Sequence, residues 1–322
     1  MLTSTERIVT TSGVALRVHE AGERGAPLVL LAHGFPQLGF SWRHQITALA
    51  DAGYHVLAPD QRGYGGSSKP DAIEAYDVAA LSADAVGLLD DVGAERAVII
   101  GHDFGAVVAY GAPLLHPNRF AGVVGVSVPP TPRPRVPTTQ AYRRLFGDNF
   151  FYVLYFQEPG PADAELNRDP ATTLRKLLGG TGSVADATAA QRMLAPGPAG
   201  FLDRIDDPGA PPPWLDTDEF DYYVREFTEG GFTGPLNWYR CFDRNWELTA
   251  TTPAATIGVP TLFIGGSADP TLAYTPRDRV GEVVSGDYTE VMIDGAGHWL
   301  PEERPAEVNA ALLGFLAGLR WR

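Results

Sequence analysis

The stretch from residue 98 to residue 110 constrains this chain more than any other. Val98-Ile99-Ile100-Gly101 reads as the end of a buried strand and Ala106 opens an apolar helix. Gly101-His102-Asp103-Phe104-Gly105 joins the two with the spacing of a nucleophile elbow, a sharp strand-to-helix corner that presents one side chain at its tip in strained backbone geometry. Glycines two residues before and after the tip let strand and helix approach closely. The usual occupant of the tip is serine; here it is Asp103. A carboxylate is already ionised at neutral pH and needs no base to become a nucleophile. Its covalent product would be an alkyl ester, so the natural target is an sp³ carbon bearing a leaving group, not an acyl carbon. Taken alone, a Gly-x-Asp-x-Gly string also suits an ordinary turn or cap aspartate, so the reading depends on what the rest of the chain supplies.

Strand and helix patterns alternate around that corner. Residues 8–10 and 15–20 form an opening hairpin about Thr11-Ser12-Gly13, and residues 28–32 are a continuous apolar run, as in a strand covered on both faces. A helix over 42–52, a strand over 54–58 and an amphipathic helix over 78–92, with Leu81, Ala85, Leu88, Leu89 and Val92 on one face, precede the elbow. After the elbow helix comes a strand over 123–128. Such alternation predicts an α/β protein with a doubly wound, mostly parallel sheet. Pro129-Pro130-Thr131-Pro132-Arg133-Pro134-Arg135-Val136-Pro137 breaks the pattern, since neither a helix nor a central strand tolerates it. From there to about residue 250 the chain is rich in aromatics and helical spacing, without buried strand runs. Strands over 261–265 and 288–293 and a helix over 305–319 then resume the alternation. The division predicted is a core of residues 1–130 and 251–322 with a helical cap inserted at 131–250. Ligands of such sheets bind beyond the carboxyl ends of the strands, where the insert would cover Asp103.

Composition narrows the class of function. The net charge of −14 over 322 residues argues against nucleic acid and anionic membrane surfaces as partners, because both select clustered Lys and Arg. A single cysteine, Cys241, excludes an internal disulfide and a cysteine-based zinc cluster. Residues 1–10 have neither the apolar core nor the basic flank of a signal peptide, and no apolar run approaches the roughly 18 residues of a spanning helix. A soluble, cytoplasmic protein without membrane insertion is expected.

Partners for Asp103 are expected in the chain order nucleophile, acid, histidine. Asp269 follows the strand over 261–265 and His298 follows the strand over 288–293, each just past a carboxyl end. No carboxylate follows the strand over 123–128 until Asp148, so Asp269 is the better acid. Of the seven histidines only His298 has the right placement; His102 lies on the elbow itself with its ring expected to point away, and His19, His55 and His116 read as structural. His33-Gly34-Phe35-Pro36 supplies a second backbone donor, so that the N–H groups of Phe35 and Phe104 form an oxyanion hole, and Pro36 is a candidate for a cis bond. Aromatic runs in the insert contain Tyr152, Tyr155 and Tyr239. Each suits plain packing, yet a pair of neutral phenols can also donate hydrogen bonds to a developing alkoxide and then a proton.

Taken together, His33-Gly34-Phe35-Pro36, Gly63-Tyr64-Gly65-Gly66-Ser67, the elbow, Tyr155-Phe156-Gln157-Glu158-Pro159-Gly160, Gly234-Pro235-Leu236-Asn237-Trp238-Tyr239-Arg240 and Gly295-Ala296-Gly297-His298-Trp299 resemble the signatures of soluble-type epoxide hydrolases of the α/β-hydrolase fold, most closely the bacterial epoxide hydrolase A type. The resemblance spans essentially the whole chain. It implies an eight-stranded sheet, Asp103 as nucleophile, His298 as water-activating base, Asp269 as its orienting acid, and Tyr152 and Tyr239, in preference to Tyr155, as ring-opening donors. It also implies conversion of lipophilic epoxides and water to vicinal diols as a detoxifying activity, with no metal or organic cofactor and with a homodimer left open. Phe104 departs from the tryptophan the family often carries there, which keeps the amide and reshapes the pocket wall. Phe35, Pro36, Phe104, Phe156, Trp238 and Trp299 are the expected pocket residues. The alternative reading is a haloalkane or haloacid dehalogenase built on the same Asp-His-Asp set. That chemistry calls for N–H side chains or an arginine clamp beside the nucleophile, and Phe104 provides neither. A non-catalytic ligand receptor on the same fold would leave the intact triad without a use.

Overall fold

The computed structural model describes residues 4–180 and 187–321. The first three residues of the N-terminal stretch read above for a signal peptide lie outside the described residues. Eight strands form one sheet: β1 (Thr5–Thr11), β2 (Val14–Ala21), β3 (Leu28–Ala32), β4 (His55–Pro59), β5 (Ala97–His102), β6 (Phe120–Val126), β7 (Thr261–Gly266) and β8 (Tyr288–Ile293). Their spatial order is β1-β2-β4-β3-β5-β6-β7-β8, with β1·β2 and β2·β4 antiparallel and every other pairing parallel. The elbow strand β5 therefore lies inside the sheet, between β3 and β6.

Helices α1 (Arg43–Asp51), α2 (Val78–Asp91) and α3 (Phe104–Leu115) alternate with the first strands. Between β6 and β7 the chain runs through α4 (Thr138–Phe146), α5 (Tyr152–Tyr155), α6 (Pro161–Asn167), α7 (Pro170–Gly180), α8 (Ala187–Leu194), α9 (Thr217–Gly230), α10 (Thr233–Arg240) and α11 (Phe242–Leu248), with no named strand among the described residues. Two helices close the chain, α12 (Leu300–Glu303) and α13 (Pro305–Ala317). None of the described helices is long and apolar enough to cross a membrane.

Period-two alternation sorts the strand side chains onto two faces. Val29, Leu31, Val98 and Ile100 pack with Trp42, Ile46 and Leu49 of the α1 region and with Val308, Leu312 and Leu316 of α13. Leu28, Leu30, Ala97 and Ile99 pack with Leu88 and Leu89 of α2 and with Ala106 and Ala109 of α3. Both faces of β3 and β5 are thereby dry, which accounts for their unbroken apolar sequence. A third cluster unites the α5–α10 aromatics with Phe35, Leu38, Tyr64 and Phe104 of the core. It is this cluster that seats the insertion over the elbow.

Boundaries shift by a few residues from the sequence expectation, and at two of them the backbone gives the reason. β6 runs from Phe120 to Val126 rather than over 123–128, because Ser127 takes φ of 67° and leaves the extended region there. The helix expected over 42–52 begins as a 3₁₀ turn at Gly39–Trp42 and becomes α-helical only at Arg43.

The elbow depends on bare glycines. A Cβ on Gly105 would stand 2.0 Å from the Ala32 carbonyl oxygen, and one on Gly101 2.0 Å from the Gly105 carbonyl oxygen. Both obstacles are main chain and cannot swing aside. Gly93, at φ of 70°, has open space where its Cβ would go. Gly105→Ala is therefore expected to lower unfolding free energy by about 3 kcal/mol or more, through overpacking against backbone. Gly93→Ala is expected to cost about 1 kcal/mol, for left-handed backbone alone. Denaturant midpoints of the two variants measure the contrast.

Candidate active site

Asp103 stands at φ 54° and ψ −121°, immediately before the first residue of α3. Its N–H donates to the Val126 carbonyl at 3.2 Å and its own carbonyl accepts from the Ala106 N–H at 3.0 Å, so both sides of the turn are tied down. The carboxylate is held asymmetrically. Oδ1 accepts from the Phe35 N–H at 2.8 Å, while Oδ2 lies 3.4 Å from Nε2 of His298. The Phe35–Pro36 bond is cis. Phe104 begins α3, and its N–H has no carbonyl partner inside the helix.

The other edge of the His298 ring faces Asp269, with Nδ1 at 3.1 Å from Oδ1 and 3.0 Å from Oδ2. One imidazole thus bridges two carboxylates. Burial would lower the His298 pKa, but the charges and hydrogen bonds of Asp269 and Asp103 outweigh it and lift the ring to about 10. Burial pushes both carboxyls upward, yet His298 holds Asp103 and Asp269 below the ordinary carboxylate value, helped by the Phe35 N–H at Asp103 and by Thr271 at Asp269. With its substrate absent the site therefore rests as two carboxylates around an imidazolium.

The surrounding polar groups fix these three side chains. Asp269 Oδ1 also accepts from the Thr271 N–H and hydroxyl, both at 2.8 Å. The carbonyl of His298 accepts from the Ser127 hydroxyl at 2.6 Å and from His102 Nε2 at 2.8 Å. Glu303 receives the N–H groups of Gly297 at 2.7 Å and Trp299 at 2.9 Å, on either side of the histidine. Burial lowers the His102 pKa to about 4 and keeps that ring neutral. Since its Nε2–H donates, its Nδ1 can only accept, so the Gln37 amide 2.9 Å away presents its NH₂ to the ring. That orientation also gives a partner to a Gln37 nitrogen otherwise without one. His33, lowered to about 4 by burial, donates from Nδ1 to Gly34 O at 2.9 Å and accepts the Gln61 N–H at 3.0 Å, which anchors the turn carrying Phe35.

Tyr152, the first residue of α5, and Tyr239 of α10 come together, with ring centres 6.0 Å apart. Tyr239 packs edge-on against Phe35 at 5.6 Å, Phe104 at 5.2 Å and Phe156 at 5.2 Å. Burial raises both phenols well above their ordinary value, and the Asp103 charge adds to the rise, so both are neutral donors. Tyr155 turns elsewhere: its ring packs on Phe150 at 5.5 Å, and the Glu165 charge adds to burial in raising its phenol. Of the expected pocket residues, Phe35, Phe104 and Phe156 surround the phenols, Pro36 is buried beside them in sequence, and Trp299 packs on His298 at 4.8 Å. Trp238 packs on Phe104 at 5.1 Å but commits its indole N–H to the Arg62 carbonyl at 3.0 Å, so it supports the wall from behind. The sequence reading passed over Ser127, Thr271 and Gln37. Only Thr271, two residues after Asp269 in an Asp-x-Thr turn, carried a local signal.

Residues 27–305 match the model of a family described as the alpha/beta hydrolase fold. The chain is 66% identical to epoxide hydrolase A of Mycobacterium tuberculosis over 99% of each, and 36% identical to epoxide hydrolase B of the same organism over 99% of this chain and 100% of that one. It superposes with a TM-score of 0.96 on a crystal structure of epoxide hydrolase A from Mycobacterium thermoresistibile, at 61% identity over 99% of this chain and 100% of the other. An epoxide hydrolase from an endophytic Streptomyces gives a TM-score of 0.92 at 40% identity, over 98% of this chain and 96% of the other. With a carboxylate at the elbow tip, an imidazole between two acids and relatives of this identity over its whole length, the chain belongs to the epoxide hydrolase family of the α/β-hydrolase fold.

Proposed function

We propose that this chain hydrolyses lipophilic epoxides to vicinal diols through a covalent ester on Asp103, with residues 131–250 serving as a cap domain over a core of residues 1–130 and 251–322. The observation that carries the reading is the His298 ring held between Asp103 and Asp269, with two neutral phenols packed against the Phe35 and Phe104 walls of the same site. Phe104 places no N–H beside the nucleophile for a departing halide, and the relatives described above are epoxide hydrolases, so the dehalogenase reading has no support.

In the first half-reaction Oδ2 of Asp103 attacks an epoxide carbon from the side opposite the C–O bond. That bond breaks, its electron pair goes to oxygen, and the hydroxyls of Tyr152 and Tyr239 donate to the forming alkoxide until one of them yields its proton. The product is a hydroxyalkyl ester whose carbonyl oxygen is Oδ1, already held by the Phe35 N–H. Esterification removes one of the two negative charges that keep His298 protonated. Its pKa falls, the proton it sheds balances the one lost by the phenol, and the ring becomes a base at the moment one is needed. In the second half-reaction Nε2 of His298 takes a proton from water as the water oxygen adds to the ester carbonyl carbon. The negative charge that collects on Oδ1 is met by the Phe35 and Phe104 amides. Collapse breaks the acyl C–O bond, the proton on His298 goes to the departing alkoxide, and the second water proton passes from the new Asp103 carboxyl to His298, so the diol leaves with carboxylate and imidazolium restored. No step calls for a metal or organic cofactor. One chain supplies every group, so a homodimer is not needed for the chemistry. Disposal of reactive electrophiles in the cytoplasm is the role that fits.

Three outcomes are expected. His298→Gln opens the ring but stalls, so intact mass after one turnover with styrene oxide rises by the mass of the epoxide on Asp103; free, inactive enzyme with no adduct would count against the two-step scheme. Tyr152→Phe and Tyr239→Phe each slow ester formation by about 10²–10³, the usual cost of one donor to a developing oxyanion, in single-turnover quench measurements. Wild-type ester formation keeps its rate down through the ordinary carboxylate range, because His298 holds the Asp103 carboxyl below its ordinary value. In His298→Gln the cation that opposed burial is gone, and the acid limb moves to higher pH.

A further inference from the structure

Just past His298 the core meets the insertion through a shared arginine. Arg43, the first residue of α1, keeps only 7% of its side chain exposed and reaches carboxylates on two different segments. Toward α9 its guanidinium makes a fork: Nε donates to Glu219 Oε1 at 2.6 Å and Nη2 to Glu219 Oε2 at 3.1 Å. Nη2 also donates at 3.2 Å to the carbonyl of Trp214, three residues before α9. Toward α12 only Nη1 is left, and it donates to Oε2 of Glu302, four residues after His298. The Tyr223 hydroxyl of α9 donates to the other Glu302 oxygen at 3.4 Å. The Trp214 ring of the insertion lies 6.5 Å from the Trp299 ring that packs on His298, so the arginine ties α9 to the segment that carries the base.

We propose that Glu219, Arg43 and Glu302 form a pH-dependent latch between the insertion and the core: with Glu302 protonated Arg43 is committed to α9, and with Glu302 ionised it is divided between α9 and α12, which loosens the insertion. One cation cannot offset two buried charges. Glu219 keeps 24% of its side chain exposed and has both arms of the fork, whereas Glu302 keeps 0% and has one arm. A charge withdrawn from water is costly unless fully paired, so the proton goes to Glu302. Burial there outweighs Arg43 and the Tyr223 hydroxyl, the Glu219 charge adds to the rise, and the carboxyl is lifted to about 7. The other groups nearby leave this balance alone. His44, beside Arg43, is pushed below its ordinary value by burial and supplies no second cation near neutral pH. Glu303 faces the Gly297 and Trp299 N–H groups, and Tyr222 and Glu226, further along α9, are taken by Arg17. The 3₁₀ turn Gly39–Trp42 has no ionisable side chain, and Arg304 and Glu307 at the start of α13 are exposed. The closed form binds the Glu302 proton more tightly than an opened form in which this carboxyl regains water. Closure is therefore strongest below the ordinary glutamate value, weakens as pH rises, and levels off above about 7.

Hydrogen exchange at pH 6 and pH 8, followed by mass spectrometry in wild type, Glu302→Gln and Glu219→Gln and corrected for the intrinsic pH dependence of amide exchange, tests the latch. None of the three latch residues enters the reaction proposed above, so the readout does not depend on it. In wild type the amides of α9 are expected to exchange about tenfold faster at pH 8 than at pH 6, the factor the opened form gains as Glu302 ionises. Those of α2, in the core, are expected to show no such rise. Glu302→Gln keeps an oxygen for Arg43 and removes the titration, so α9 is expected to stay at the wild-type pH 6 level at both pH values. Glu219→Gln leaves Arg43 to Glu302, so α9 is expected to exchange several-fold faster already at pH 6. A wild-type α9 without the rise, a rise shared by α2, or a rise that survives Glu302→Gln overturns the proposal. So does a Glu219→Gln variant whose α9 exchanges at the wild-type rate at pH 6, a result that stands even where Glu302→Gln fails to fold.

Discussion

Everything in the site hangs from one strained residue. Asp103 sits in left-handed backbone that a non-glycine residue occupies at a cost of about 1–3 kcal/mol. The strain is tolerated because the neighbours leave the turn no alternative: Gly101 and Gly105 are in close contact with main chain, and the Asp103 N–H is held by β6. What the strain achieves is position. A side chain at the end of β5 is lifted clear of the sheet, into reach of an amide from the β3 turn on one side and of His298 on the other. The same turn starts α3, so the amide that follows the nucleophile is free of a helical partner. One backbone corner thus places the Asp103 carboxylate and a free amide together.

Around that corner, charge is arranged so that each group sets the state of the next. Two buried carboxylates would both be driven toward their neutral forms by desolvation, and a lone buried imidazole likewise. Placed 3.0 to 3.4 Å apart in the order acid, imidazole, acid, they hold one another ionised. The net charge of the resting trio is a single negative one. On the proposed route, loss of the Asp103 charge on alkylation is the only change needed to turn the cation into a base. The fixed main chain about His298, clamped through Ser127, His102 and Glu303, fits a ring that changes its proton and keeps its place.

The parts legible in the sequence are those made by local rules. Continuous apolar runs marked β3 and β5, and the glycine spacing marked the elbow. The acid and the histidine were found because each follows its own strand by a few residues. Asp269 and His298 could be ranked above other carboxylates and histidines by position alone. The early end of β6 was not legible, since Ser127 is not a residue that announces positive φ. Nor was the pairing of Tyr152 with Tyr239, which are brought together only by packing of α5 on α10, and which required the resemblance to single them out from Tyr155. Tyr274 had no sequence signal at all: its contacts with Phe146 and Phe151 join a core loop to a segment more than 120 positions earlier in the chain.

That last point bears on how the insertion is held. Asp103 belongs to the core and the phenols of Tyr152 and Tyr239 to the insertion, so their separation is set by whatever joins the two. Apolar burial in the shared aromatic cluster is non-directional and would permit sliding. Directional contacts remove that freedom. Arg17 of β2 reaches Glu226 at 2.7 Å and Tyr222 at 2.9 Å on α9. Arg43 of α1 binds Glu219 of α9 at 2.6 Å and also Glu302 of α12, whose carboxyl burial raises to about 7 against the pull of that arginine. Trp238 of α10 donates to the Arg62 carbonyl, and the Val78 N–H at the start of α2 donates to Asn245 of α11 at 2.8 Å. Buried ion pairs contribute little net stability once desolvation is counted, and their best-attested use is to specify one arrangement among several. A misplacement of about 1 Å between reacting groups can cost on the order of 10² in rate. Polar ties spread along α9, α10 and α11 are what a catalyst divided between two chain segments requires, because they hold the insertion to one register on the core while the rings between them stay free to shape the pocket.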